Sequence, residues 1–239
     1  MYGEKLKQNK HIKTIKMKDT EFDKLPLLAW YPWIGNEYLQ VGAENKLLII
    51  GESHYSGDTQ ESIDKHKQKS YTRTVIKEMA IGRNYYNTRI FPNLHKALFK
   101  NDKFDSSSFW NKVSFYNFIQ RSLSSNKNRP TSTDIKEGWT NFFEVIKLLQ
   151  PKICLFIGTT AADELKKMQS PDFTFDQAKW VKRIGGAYAK RAVLKGKDGK
   201  ETLLLFIRHT SSHFNWEQWN GFLQESMPEN LNWLEEQIK

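Results

Sequence analysis

Leu47-Leu48-Ile49-Ile50-Gly51-Glu52-Ser53-His54-Tyr55 is the stretch whose reading decides the fold. Four consecutive apolar residues without polar alternation, closed by a glycine, describe a strand buried on both faces of a parallel sheet. The polar residues behind it then stand where the strand hands over to a loop. Three further runs repeat the pattern: Val113 to Ile119, Ile153 to Ile157 and Leu203 to Ile207. The first carries Tyr116-Asn117 towards its end, and the last leads directly into Arg208-His209-Thr210-Ser211-Ser212-His213. In an open parallel α/β sheet, ligands bind beyond the carboxyl ends of the strands. The spacing therefore predicts that the clusters at 51–55, 116–117 and 209–213 meet at one cleft.

Helical signals fill the intervals. Residues 71–82 and Phe91 to Phe99 read as helices, the second with Pro92 in its first turn. Thr133 or Asp134 is placed to cap a helix reaching about Gln150, with Trp139, Phe142, Phe143, Ile146 and Leu149 inward and Pro151 beyond its end. Gly158-Thr159-Thr160 turns into a helix from Ala161 to about Met168, where Thr160 and Asp163 have capping-box spacing. Asp198-Gly199 marks a hairpin between Ala192–Leu194 and Leu203–Ile207. Two helices, over 215–225 and 229–238, end the chain. The alternation predicts an α/β fold: a three-layer α/β/α sandwich around a central, mainly parallel four-stranded sheet. Residues 21–239 read as one domain and residues 1–20 as a basic, flexible arm.

Charge and composition narrow the partners. Residues 1–18 hold six Lys against one Glu, half of the chain's formal +10. A basic leader on a modestly basic body suits DNA, single- or double-stranded, although a solvated surface carries such charge too. One cysteine, Cys154, lies in an apolar run and reads as an inert buried thiol; it excludes an intrachain disulfide framework. No apolar run is long enough to span a bilayer, and the Lys-rich start lacks a signal peptide's apolar stretch. These features predict a cytoplasmic monomer with no membrane partner and no cofactor.

Val113-Ser-Phe-Tyr-Asn117, Asn128-Arg-Pro-Thr131, the capped helix, Leu149-Gln-Pro-Lys-Ile-Cys-Leu-Phe-Ile-Gly158 and Ala161-Ala162 follow one another in an order that resembles the iron–sulfur branch of the uracil-DNA glycosylase superfamily. The likeness runs from about Leu47 to Phe222. It implies a base-flipping hydrolase that excises uracil or a related damaged or modified base. By position, Gly51 permits close backbone approach, Glu52 is the carboxylate of the water-activating loop, and Tyr55 stands where an aromatic blocks a 5-methyl group. Ser53 stands in place of a catalytic aspartate, and His54 in place of a proline.

The resemblance also implies that Asn117 reads the base edge, since an amide offers both donor and acceptor. His209 matches the family's histidine, which implies that it donates a hydrogen bond to the departing base, a contribution of about 3 kcal/mol. By the same resemblance Arg208, Ser211 and His213 are expected to contact DNA, and His213-Phe214 takes the place of the wedge that fills the vacated stack. Tyr71 is the first choice for the aromatic platform under the base, with Tyr85, Tyr86 and Phe91 as alternatives. That branch holds its cluster with four cysteines, and this chain has one. No cluster is expected, and packing of Trp30 to Trp33 against the sheet edge takes over the stabilising role.

Other readings remain open on residues alone. Gly-Glu-Ser resembles the nucleophile loop of Gly-Asp-Ser esterases, with Ser53 activated by His209, but Phe206 and Thr210 stand where an orienting carboxylate is required. Glu52, His54, His209 and His213 are ligand types for zinc, without a chelating helix motif. A non-catalytic DNA-binding or protein-interaction module on the same scaffold is the remaining alternative.

Overall fold

A computed structural model describes residues 19–124, 128–211 and 213–239; the basic arm through residue 18 and Ser212 lie outside the described residues. Eight strands form one sheet: β1 (Trp33–Ile34), β2 (Leu47–Gly51), β3 (Ser114–Asn117), β4 (Ile153–Ile157), β5 (Phe173–Phe175), β6 (Lys179–Ile184), β7 (Ala187–Gly196) and β8 (Glu201–Ile207). Their order is β1-β3-β2-β4-β8-β7-β5, with β6 paired to β7 as well. The four expected strands β3, β2, β4 and β8 are contiguous and mutually parallel. The expected count of four is corrected to eight among the described residues. The extra strands lack the signal of a buried strand: β1 has two residues, β5 has three, and β6 is exposed along almost all its length.

The helices are α1 (Asp19–Phe22), α2 (Gln60–His66), α3 (Tyr71–Val75), α4 (Ile90–Phe99), α5 (Ser106–Trp110), α6 (Ser132–Leu149), α7 (Thr160–Glu164), α8 (Trp216–Ser226) and α9 (Pro228–Gln237). Alternate residues of each central strand face opposite ways, which divides the core in two. Leu47, Ile49, Leu155 and Leu205 pack with side chains of α4, α5, α8 and α9. Leu48, Ile50, Phe156 and Phe206 pack with Trp139, Phe142 and Ile146 of α6. Cys154 is fully buried in this second cluster, and burial pushes its thiol up. The Trp30–Trp33 segment closes the β3 edge: Trp33 pairs with Phe115 in antiparallel register, and its indole N–H donates to the Trp110 carbonyl.

Two helix starts differ from expectation. The cap of α6 is Thr131, whose hydroxyl accepts from Asp134 N while the Asp134 carboxylate accepts from Thr131 N. The capping box is therefore anchored by Asp134 at its inner position, and Asp134 also accepts both arms of Arg121 at 2.6 Å. The Arg121 guanidinium holds the Asp134 carboxyl down at about 2. On α7 no side chain caps the start; Asp163 instead accepts from Lys190, a buried lysine on β7. The Asp-Gly hairpin joins β7 to β8, with Gly199 at φ +78.

Candidate functional site

β2 is the switch in the strand order: the chain leaves it to one side for β3 and returns to the other side for β4. Gly51 and Asn117 are direct partners in the β2–β3 register. Beyond them the two exit loops stay zipped together. Phe118 N donates to Gly51 O, Ile119 N to Glu52 O, Leu123 N to His54 O and Ser56 N to Leu123 O. On the other flank, Gly158 N donates to Ile207 O, which brings the end of β8 alongside the end of β4. The exits of β3, β2, β4 and β8 thus stand side by side along one edge.

Gly51 has a steric reason to be glycine. A Cβ there would lie 2.4 Å from Asn117 Oδ1 and 2.8 Å from the Phe115 ring. The buried Asn117 amide occupies that space, and its Nδ2 donates to His54 Nε2 at 2.8 Å. Thr72 Oγ1 approaches the same ring nitrogen at 2.9 Å. Burial, reinforced by the neighbouring His66, pushes His54 down to about 3, so the ring is neutral and Nε2 acts as the acceptor. Trp30 and Tyr71 meet His54 edge-on at centroid separations of 4.8 and 4.6 Å, and Tyr71 also packs on His66 at 4.2 Å. Tyr71 is thus a wall of the histidine cluster.

Glu52 projects from the same loop with its carboxylate divided. Oε1 accepts from Arg129 Nη2 at 2.9 Å and Oε2 accepts from Tyr55 OH at 3.1 Å. Burial and the Glu52 charge push the Tyr55 phenol up to about 12, so Tyr55 remains a donor. Ser53 faces elsewhere: its hydroxyl donates to Arg121 O at 2.6 Å and ties the two loops together. The hydroxyl that stands at the position of the family's aspartate is thus engaged with a backbone carbonyl.

His209 Nδ1 lies 2.8 Å from Ser211 Oγ and accepts from Ser211 N at 3.3 Å. With Nδ1 an acceptor, the proton of the neutral ring sits on Nε2. Burial lowers the His209 pKa against the opposing pull of Glu52, and Arg129 lowers it further. Glu52, Arg129 and His209 therefore share one electrostatic neighbourhood across the β2–β4–β8 edge. The next loop residues diverge. Arg208 Nη1 lies near Gly186, 3.8 Å from where a Cβ would be, and His213 is exposed at φ +51. Phe214 stacks on Trp219 at 5.9 Å and belongs to the margin of the core. Of the expected His213-Phe214 wedge, Phe214 is thus partly buried against the core and His213 is exposed.

Gly51 and Glu52 line a small cleft with Phe156, Gly158, Thr160 and Ala161, at the switch between β2 and β4. Its free space of about 20 Å³ holds one water-sized group. A much larger cleft of about 890 Å³ lies at the opposite end of the strands, between Lys46, Lys147, Lys152 and Lys197, and none of the expected site residues lines it. The zinc reading loses its geometry: among the described residues no three His, Cys, Asp or Glu side chains gather as a metal group. No helix among them is long and apolar enough to cross a membrane.

Residue reading missed Arg129 and Arg121 as members of the site. Their signal is Asn128-Arg-Pro-Thr131, which leads into the α6 cap, and the arginine four residues after the end of β3. It also missed His54 as the partner of Asn117. No protein-family model matches the chain, and a search of curated proteins finds no match.

Proposed function

We propose that the protein is a DNA glycosylase-like hydrolase that breaks the N-glycosidic bond of uracil or a related damaged or modified base. The observation that carries this reading is the neutral His209 with its Nδ1 engaged by Ser211, which leaves an Nε2–H donor in the neighbourhood of the Glu52 carboxylate. In this reading the fold is a three-layer α/β/α sandwich of the uracil-DNA glycosylase kind, extended at one edge by an antiparallel ribbon. The water-sized cleft beside Glu52 supports the same assignment.

The chemistry follows from those two groups. Glu52, held by Arg129 and Tyr55, orients a water molecule towards C1′. The C1′–N bond breaks as the water oxygen bonds to C1′, the water proton passes to Glu52, and the base departs with its electron pair. His209 Nε2–H stabilises the negative charge that develops on the base oxygen; a preorganised donor of this kind contributes about 3 kcal/mol. Asn117 gives one Nδ2 hydrogen to His54, so Oδ1 and the second Nδ2 hydrogen are what it has for the base, the oxygen being an acceptor suited to a ring N–H.

A second reading, a non-catalytic DNA-binding module, draws on that same committed amide. The experiment that separates them is base release from oligonucleotides carrying uracil, hydroxymethyluracil, hypoxanthine or xanthine. The hydrolase leaves abasic sites with at least one of them. Salt-sensitive retention with no abasic site from any of the four selects the binding module.

A further inference from the structure

The antiparallel ribbon of β6 and β7 takes no part in the chemistry above, and its surface combines exposed aromatic rings with basic side chains. From Lys179 to Arg191 it carries five basic residues and no acidic one. Trp180 is 64 % exposed, and its ring stacks on Tyr188 at 4.5 Å with 20° between the planes. The Arg183 guanidinium lies over the other partner of the stack, 5.9 Å from the Tyr188 centroid. An irregularity between Trp180 and Lys182 sets the row: Trp180 is opposite Lys190 and Arg183 is opposite Tyr188, so both share one face of the ribbon. Lys190 and Lys182 are spent on Asp163 and Glu225. Lys179, Arg183 and Arg191 have no carboxylate partner among the described residues.

Charged residues and a bulge on an edge strand also serve to prevent edge-to-edge association. That role does not call for a large indole held open to solvent on a tyrosine. A flat aromatic face flanked by unpaired cations matches the chemistry of unpaired nucleobases on a phosphate backbone, which stack on such rings without regard to sequence. The position of the ribbon supports the same occupant. Its tip, Gly185-Gly186, lies beside Arg208, the residue before His209.

We propose that the β6–β7 ribbon is a single-strand nucleic-acid platform: bases flanking the one that meets Glu52 and His209 stack on Trp180 and Tyr188, and their phosphates meet Arg183, Lys179 and Arg191. The path from cleft to platform rests on the hydrolase reading; the platform's own binding does not. Tyr188 stands two residues from the tip, about 7 Å along the strand, so the platform serves nucleotides close to the reacting one.

The test is fluorescence anisotropy with a labelled oligothymidylate strand, its oligouridylate counterpart and a duplex, at several salt concentrations. Trp180→Ala and Tyr188→Ala should each weaken single-strand binding about tenfold, Trp180→Phe should recover most of the loss, and duplex affinity should not move. Arg183→Ala should flatten the single-strand salt slope by about 0.7. Equal loss for both strands assigns the platform to bases and phosphates, and a loss confined to one adds recognition of its sugar or base. Single-strand affinity unchanged in both aromatic variants, with circular dichroism equal to the parent, overturns the proposal, as does a parent that does not bind either strand. Base release measured in parallel separates the two readings: binding that depends on Trp180 without any release leaves the platform standing alone, whereas release with variant-insensitive binding removes the platform alone.

Discussion

The loops that follow β2 and β8 leave the same edge of the sheet, yet they treat their polar groups in opposite ways. In residues 51–56 nearly every polar side chain is committed: Glu52 to Arg129 and Tyr55, Ser53 to Arg121 O, His54 to Asn117 and Thr72. Backbone bonds to residues 118–123 lock the loop in place. In residues 208–213 the side-chain bond within the loop runs from Ser211 to His209 Nδ1, and the loop is tethered by Asn93 to Thr210 O. Among the described residues His209 Nε2, Arg208 and His213 have no side-chain hydrogen bond or ion pair. Apart from the Glu52 carboxylate the first loop is a frame, and the second carries working groups, which predicts that damage to the frame and to the working groups will register in different measurements.

The largest effect belongs to the second loop. His209→Ala should lower base release about 100-fold, the value of one preorganised donor, with unchanged circular dichroism. Release that falls less than about threefold would mean that His209 is one more part of the frame. In the first loop the cost should fall on stability. His54→Ala strands the Asn117 amide and the Thr72 hydroxyl in the interior, and urea unfolding should show a loss of about 1–3 kcal/mol.

Acid should reach the frame by the same route. His54 and His95 are held at about 3, mainly by burial, against an ordinary value of 6.5. The unfolded chain binds protons that the folded chain refuses, so their contribution is present above about pH 6.5 and drains away as the pH falls towards about 3. Unfolding free energy measured from pH 7 to pH 4 should decline, and more steeply in the parent than in His95→Leu. A flat profile would contradict neutral burial of these rings. The smallest effect is Ser53→Ala: about 1 kcal/mol of stability from the lost bond to Arg121 O, with base release close to that of the parent. Complete loss of activity would instead place Ser53 among the working groups.

The parallel half of the sheet was legible because burial on both faces leaves an unbroken apolar run, as in Leu47–Ile50 and Ile153–Ile157. Removing such a side chain, as in Leu155→Ala, costs about 2–5 kcal/mol, which is why the pattern is strict. The antiparallel half was not legible, since β6 faces solvent and its bulge erases the alternation that marks a half-buried strand. Gly185-Gly186 between two runs was the hairpin signal that stood unused. Within the site, the register that opposes Gly51 to Asn117 follows from which residues end each strand. The partners those side chains choose do not. Asn117 bonds to His54, which Thr72 also meets from a segment 45 residues from Asn117, and Phe214 turns onto Trp219 of the helix that follows it.

The account rests on Glu52 and His209 acting on one bound base from two separate strands. The direct measurement is a double-variant cycle on base release, with Glu52→Gln and His209→Ala made singly and together. Residues that act as a unit are strongly non-additive, so the double variant should release base at nearly the rate of the slower single variant. Losses that multiply in full would show two groups working independently and would contradict a shared site.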